Sequence, residues 1–155
     1  MSQSDRWLSL YEDSHRDMSQ QPFYWLAVAA LLPATAGMLW SLPVPAGFVE
    51  ISPVLNWGTA FLMATLVYYF IISVPLAIGM LPPVFFLTAL GLWLSRTGLS
   101  VAGASLGLMI AALGGLYTGH RGRGGTGAIL RDIQLMPIGP IWLLSRLYRR
   151  LGIPF

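Results

Sequence analysis

From Ile51 to Ser95 the chain reads I-S-P-V-L-N-W-G-T-A-F-L-M-A-T-L-V-Y-Y-F-I-I-S-V-P-L-A-I-G-M-L-P-P-V-F-F-L-T-A-L-G-L-W-L-S, without one charged side chain. A membrane-spanning helix needs about 20 predominantly apolar residues, so this stretch has room for two. The pattern predicts spans over 55–73 and 78–94, with an uncharged turn at 74–77. Pro82 and Pro83 interrupt the second span, where each removes a backbone donor and kinks a helix, as membrane bundles tolerate. Working outward, charge is also missing from 18–49 and from 97–119. Each of these stretches holds one further span, 23–42 and 99–119. The expected fold is all-α: a single membrane domain over 1–155, a bundle of four transmembrane helices with amphipathic helices at both ends.

Composition agrees. The 155 residues are 55% hydrophobic and 10% charged, with a mean hydropathy of +0.67. A soluble domain carries about 25% charged residues, so this chain cannot clothe a globular surface in charge. That excludes a soluble monomeric enzyme, intrinsic disorder and, with no Cys, a disulfide scaffold. The net charge of +3 does not indicate nucleic acid: there is no Lys, and the nine basic residues are all Arg.

The arginines orient the bundle. Arg6, Arg16, Arg121, Arg123, Arg131, Arg146, Arg149 and Arg150 lie in the terminal segments, and only Arg96 lies in the loops on the opposite side. Positive residues stay cytoplasmic, so both termini are expected there, in a multi-pass protein of a bacterial inner membrane. Trp25, Trp40, Trp57 and Trp93 lie near span ends, as interfacial aromatic belts require. The polar first twenty residues, with Asp5, Glu12, Asp13 and Asp17, lack the basic n-region and short apolar core of a signal peptide.

Two segments outside the spans are patterned. Over 4–19, Trp7, Leu8, Tyr11, Ser14, His15 and Met18 share one helical face, predicting an amphipathic helix on the membrane or against the bundle. Over 141–152, Ile141, Leu144, Leu147, Tyr148 and Leu151 form an apolar face opposite Arg146, Arg149 and Arg150. Pro137 and Pro140 bracket Gly139 just before it and read as a re-entrant turn. In the fourth span Gly103, Gly107, Ala111, Gly115 and Gly119 recur every four residues. Such a stripe of small residues lets helix backbones approach closely, whether the partner is another span or a second subunit in a homo- or hetero-oligomer. Residues 119–127, G-H-R-G-R-G-G-T-G, lack the Gly-Lys-Ser/Thr ending of a phosphate loop and read as a cytoplasmic loop. Arg121 and Arg123 there can pair with a headgroup or carboxylate.

The chemistry available is sparse. The chain has two histidines and six acids. His15 precedes the first span and His120 ends the fourth, so topology puts both on one face, with every acid except Glu50. Two imidazoles with nearby carboxylates are the donor set of a non-haem iron site with open positions. No ionisable residue lies inside a predicted span, where a transport pathway usually places one, so a small transporter ranks last.

The chain resembles the multi-pass membrane 2-hydroxy fatty acid dioxygenases of the phytosphingosine degradation pathway. The stretch Y-E-D-S-H-R-D-M-S-Q (11–20) is similar to the family's Tyr-x-x-x-His opening. Leu55-Asn56-Trp57 and Tyr68-Tyr69 are similar to its bacterial members. The run G-H-R at 119–121, followed by L-R-D-I-Q-L-M-P-I-G-P-I-W-L-L-S-R-L-Y-R-R-L-G-I-P-F at 130–155, carries the closest similarity. The resemblance implies a ferrous-iron enzyme that shortens a 2-hydroxy fatty acid by one carbon, with metal on His15 and His120. The family usually has Asn and then His where this chain has Gln20 and Tyr24, and Glu and then Pro where it has Arg123 and Gly127. An expected histidine is thus missing, and Tyr24, Asp13, Asp17 or Asp132 is left to complete a site. The implied roles are Tyr24 and Asp132 in catalysis, Arg121 or Arg123 on the fatty-acid carboxylate, and the acyl chain among membrane lipids between the spans. The second reading is the same fold without metal, as a non-catalytic membrane subunit or lipid-binding scaffold.

Overall fold

The computed structural model describes positions 22–119 and 125–154, together with positions 6, 8–10 and 13. Positions 6, 8–10 and 13 are helical, and over 22–154 the described residues form seven helices: α1 (Pro22–Trp40), α2 (Ala46–Ile51), α3 (Trp57–Ile72), α4 (Val74–Arg96), α5 (Val101–Gly119), α6 (Gly125–Gln134) and α7 (Ile138–Leu151). No strand occurs among the described residues. Among the described residues three helices, α1, α4 and α5, are long and apolar enough to cross a membrane. The helix in the expected second span, α3, is shorter, with 16 residues, a rise of about 24 Å against a hydrocarbon core of roughly 30 Å.

Local chemistry sets the ends. Asn56 caps α3: its side-chain oxygen accepts from the Thr59 N–H at 3.0 Å, and its own N–H donates to Thr59 Oγ1 at 2.8 Å. This reciprocal pair satisfies donors that the first turn leaves free, so the helix starts one residue after Asn56 and not at 55. Ser73 alone, in extended conformation, separates α3 from α4. The turn expected at 74–77 is therefore helical. Pro75 lies at the start of α4, where a missing N–H costs nothing. Pro82 and Pro83 do not interrupt α4, which runs through them for 23 residues. Gly98, at φ 73°, turns the chain from α4 to α5 in the left-handed conformation that glycine adopts without strain.

The first helix is the centre of the bundle and packs chiefly on α5, with α3 and α7 also against it. The α1–α5 seam is made of small residues. A Cβ on Gly115 would lie 2.6 Å from Ala27 Cβ, and one on Gly119 would lie 2.5 Å from Tyr24 Cδ2. At the other end, Gly37 lies so close to Ser105 that a Cβ would overlap its hydroxyl. The expected ladder is thus in contact only over its last two steps. Gly103 meets nothing but Ser100 of its own chain segment, Gly107 meets nothing within 4 Å, and Ala111 is exposed. The physical reason is helical phase: four-residue steps drift by about 40° per step on a helix of 3.6 residues per turn. The buried line on α5 is instead Ser105, Ala112, Leu116 and Gly119.

Trp25 also departs from expectation. It is not a belt residue turned toward lipid but is buried, 8% exposed. Trp57 and Trp93 are exposed, and the half-buried Trp40 donates through Nε1 to Ser95 Oγ at 3.1 Å. On α7 the buried face is Ile138, Ile141, Trp142 and Ser145. Leu147 and Leu151, expected on the same face as Ile141, are 50% and 63% exposed, because α7 packs on α1 as well as α4 and turns Trp142 inward. Of the N-terminal amphipathic face, Leu8 is buried in the main core cluster; Trp7, Tyr11, Ser14, His15 and Met18 lie outside the described residues.

The seam makes a checkable statement. Gly115→Leu should destabilise the bundle by about 1–3 kcal/mol through overpacking, whereas Gly107→Leu should leave thermal unfolding in detergent near wild type. Equal damage at Gly107 would mean that another surface covers that part of the stripe.

Candidate functional site

The end of the bundle where α1 begins and α5 ends holds a buried polar pair. Asp132 lies on α6, a helix that begins inside the stretch 119–127 read from sequence as loop. Its carboxylate is buried, 3% exposed, and its Oδ2 accepts a hydrogen bond from the Tyr24 hydroxyl at 2.6 Å. The two residues are 108 positions apart in the chain. A buried carboxylate is costly unless hydrogen-bonded, and a phenol donating to it is a charge-assisted bond of the strong class. Gly119, the residue immediately before His120 in sequence, lies against the edge of the Tyr24 ring, where a Cβ would come within 2.5 Å of Cδ2. Any side chain there would push the ring away from Asp132.

Aromatic packing fixes the Tyr24 end. Trp25 meets Tyr24 edge-on at 5.3 Å and stacks on Trp142 of α7 at 4.3 Å, with planes 20° apart. The Arg146 guanidinium lies 5.2 Å from the Trp142 ring centroid, a cation–π contact between residues one turn apart.

Between α6 and α7 the chain makes an elbow that enters the bundle. Thr35 Oγ1, well along α1, reaches the Leu31 carbonyl at 2.8 Å and lies 3.2 Å from Met136 Sδ, and the buried Tyr69 donates to the Pro137 carbonyl at 2.5 Å. The elbow leaves few donors to satisfy. The N–H groups of Ile138 and Gly139 both reach the Leu135 carbonyl, at 2.9 and 3.3 Å, and Met136 N–H reaches Ile133 O at 3.2 Å. Pro137 and Pro140 have no N–H to satisfy. Pro140, which the sequence placed in a turn before the helix, lies inside the first turn of α7, where the ring needs no partner.

Of the residues singled out from sequence, Tyr24 and Asp132 are brought together. His15, Asp17, Gln20, His120, Arg121 and Arg123 lie outside the described residues. Asp13 and Gly127 are exposed. The sequence reading placed Trp25 in an interfacial belt and gave no role to Trp142 or the Tyr69–Pro137 bond. The Trp142–Arg146 spacing was the one visible signal among them.

Iron can be tested against this donor set. Among the described residues no three His, Cys, Asp or Glu side chains come together. Tyr24 and Asp132 supply oxygens only, joined to each other by a proton. A site of the two-histidine, one-carboxylate kind needs imidazole nitrogens, and neither imidazole is among the described residues. These residues alone do not fit an iron ion. An apolar cleft of about 560 Å³ between α3 and α4 borders Ile51 and Leu55 and so opens at the end of the bundle away from Tyr24. Comparison with known protein families, with characterised proteins and with solved structures gives no match.

The pair is directly testable. Tyr24→Phe removes the donor to a buried carboxylate and should cost about 1–3 kcal/mol of stability. In a double-mutant cycle with Asp132→Asn, the two losses should fall short of additive by about 0.5–3 kcal/mol; strict additivity would show that the bond contributes nothing.

Proposed function

We propose that the chain is a multi-pass inner-membrane protein that acts on fatty acyl lipids at its cytoplasmic end, a divergent relative of the membrane 2-hydroxy fatty acid dioxygenases. The observation that carries this reading is the buried Tyr24–Asp132 pair beneath Gly119. Tyr24, which stands by resemblance where that family usually has a site histidine, and Asp132, one of the acids left to complete a site, are far apart in sequence and share one hydrogen bond. They do so directly against the residue that precedes His120. In this reading His15 and His120 hold ferrous iron, which would supply dioxygen activation. Tyr24 and Asp132 act as a shared proton, with the phenol held toward the carboxylate. Arg121 or Arg123 takes the substrate carboxylate, and the acyl chain lies between the helices.

Four crossings belong to the same reading. Gly58, near the start of α3, packs on Ala36 and Trp40 at the far end of α1. Tyr69, near the end of α3, bonds Pro137 in the elbow that follows α6. This supports α3 as running beside α1 from one end of the bundle to the other, despite its length. The elbow is then re-entrant. Irregular backbone at membrane depth is tolerated only where it is buried and satisfied, and the Tyr69 bond and the two prolines meet that condition.

A second reading, a metal-free lipid-binding scaffold of the same fold, is favoured by the engagement of Tyr24 and Asp132 with each other. Metal analysis separates the two. Protein prepared anaerobically with ferrous iron should retain stoichiometric metal and remove one carbon from a 2-hydroxy fatty acid, and His15→Ala or His120→Ala should abolish both. Wild-type protein with neither metal nor turnover supports the scaffold. For topology, reporter fusions at Phe155 and beside Glu50 should report opposite sides of the membrane, with Phe155 cytoplasmic; a periplasmic Phe155 would contradict the arrangement.

A further inference from the structure

A cleft of about 400 Å³ lies between α1, α4 and α7, lined by Leu32, Pro83, Phe86, Leu143, Leu144 and Leu147 among others. Phe86 is 66% exposed and Leu147 50%, so the cleft opens sideways, toward the bilayer in a membrane protein. Its axis follows α7. Pro140 lies at one end, next to the elbow, and Leu147 lies two turns further on. Beyond Leu147, α7 continues toward the end of the bundle where α4 begins: Tyr148 lies against Gly79. Arg146, one residue before Leu147, and Arg150, three residues after it, lie one turn apart on the strip of α7 beside the strip of Leu143 and Leu147. No acid occurs anywhere on α7. Arg150 is exposed, and Arg146 is held in place by its ring contact with Trp142.

We propose that this cleft is a binding site for an anionic glycerophospholipid. One acyl chain lies along α7 between Leu32, Phe86 and Leu143, and the phosphate meets Arg146 and Arg150 at the membrane surface. Charge complementarity selects the occupant. The tail space is apolar throughout, and the only charged side chains on the helix that borders it are cations. Guanidinium forks match phosphate oxygens in pairs. The site goes beyond the acyl-lipid chemistry proposed above. It requires neither iron nor turnover, so its failure and the failure of that reading are separate results.

The test uses the full chain in nanodiscs of mixed phosphatidylglycerol and phosphatidylcholine, with lipids retained after release counted by native mass spectrometry. Each arginine near the surface contributes about a fivefold preference for anionic lipid. Arg146→Gln/Arg150→Gln should therefore lower the phosphatidylglycerol preference by about 25-fold while the protein stays monodisperse. Ala29→Phe, which fills the cleft and keeps both arginines, should lose the tightly held lipid of either kind. Equal retention of the two lipids by wild type would overturn the site. So would an unchanged preference in the double arginine variant, or wild-type retention in Ala29→Phe. Displacement of the phospholipid by equimolar oleate would assign the cleft to a free fatty acid and overturn the phospholipid proposal.

Discussion

The structure depends on how closely α1 approaches α5. Where Gly115 faces Ala27 and Gly37 faces Ser105, no side chain larger than a methyl or a hydroxymethyl separates the two backbones. Between apolar helices in lipid there is little hydrophobic force to drive association, and close van der Waals packing takes its place. That approach has a chemical consequence at one end of the seam. Because Gly119 has no side chain, the Tyr24 ring lies against the last turn of α5, and its hydroxyl is placed to meet Asp132. The polar pair is thus a product of the apolar seam. Without the seam, Asp132 would be a buried carboxylate lacking its phenol.

The second constraint is the obligation of every buried backbone group to find a partner. The elbow between α6 and α7 meets it economically. Two of its residues are prolines with no N–H, two N–H groups share the Leu135 carbonyl, and the Pro137 carbonyl takes the Tyr69 hydroxyl. Tyr69 is wholly buried because that bond is made inside the bundle. The elbow in turn aims α7 so that Trp142 stacks on Trp25 and the Leu143–Leu147 strip borders the cleft. The same short segment therefore joins the Tyr24 end of the bundle to the surface on which the arginines stand.

Much of this was legible in the sequence, because the absence of charge over long stretches leaves few alternatives to apolar helices. The segments around α1, α4 and α5 follow from it directly. Sequence misjudged what depends on phase and on partners. The glycine ladder looked continuous at a period of four, but the helix turns every 3.6 residues, so Gly107 and Ala111 rotate out of the contact that Gly115 and Gly119 make. Pro82 and Pro83 looked like an interruption, yet both are exposed and α4 passes through them. Trp25 had the position of a belt residue but not the environment, since only the fold brings Trp142 opposite it. The helix α6 was hidden by the glycines before it, and its buried Asp132 has no local periodicity to betray it. The Tyr24–Asp132 pairing was reachable only through a family resemblance, because nothing in their spacing links residues on α1 and α6.

The central claim is that α1 and α5 pack through Ala27 and Gly115 and so place Tyr24 over Gly119. Site-directed crosslinking tests it most directly, since the chain has no cysteine of its own. Disulfides need Cβ atoms about 3.5–4.5 Å apart, a separation that a small shift of the seam provides at this pair. Ala27→Cys/Gly115→Cys should form an intrachain disulfide in native membranes under mild oxidation, while Ala27→Cys/Gly107→Cys should not. Crosslinking at the Gly107 pair with none at the Gly115 pair would contradict the packing.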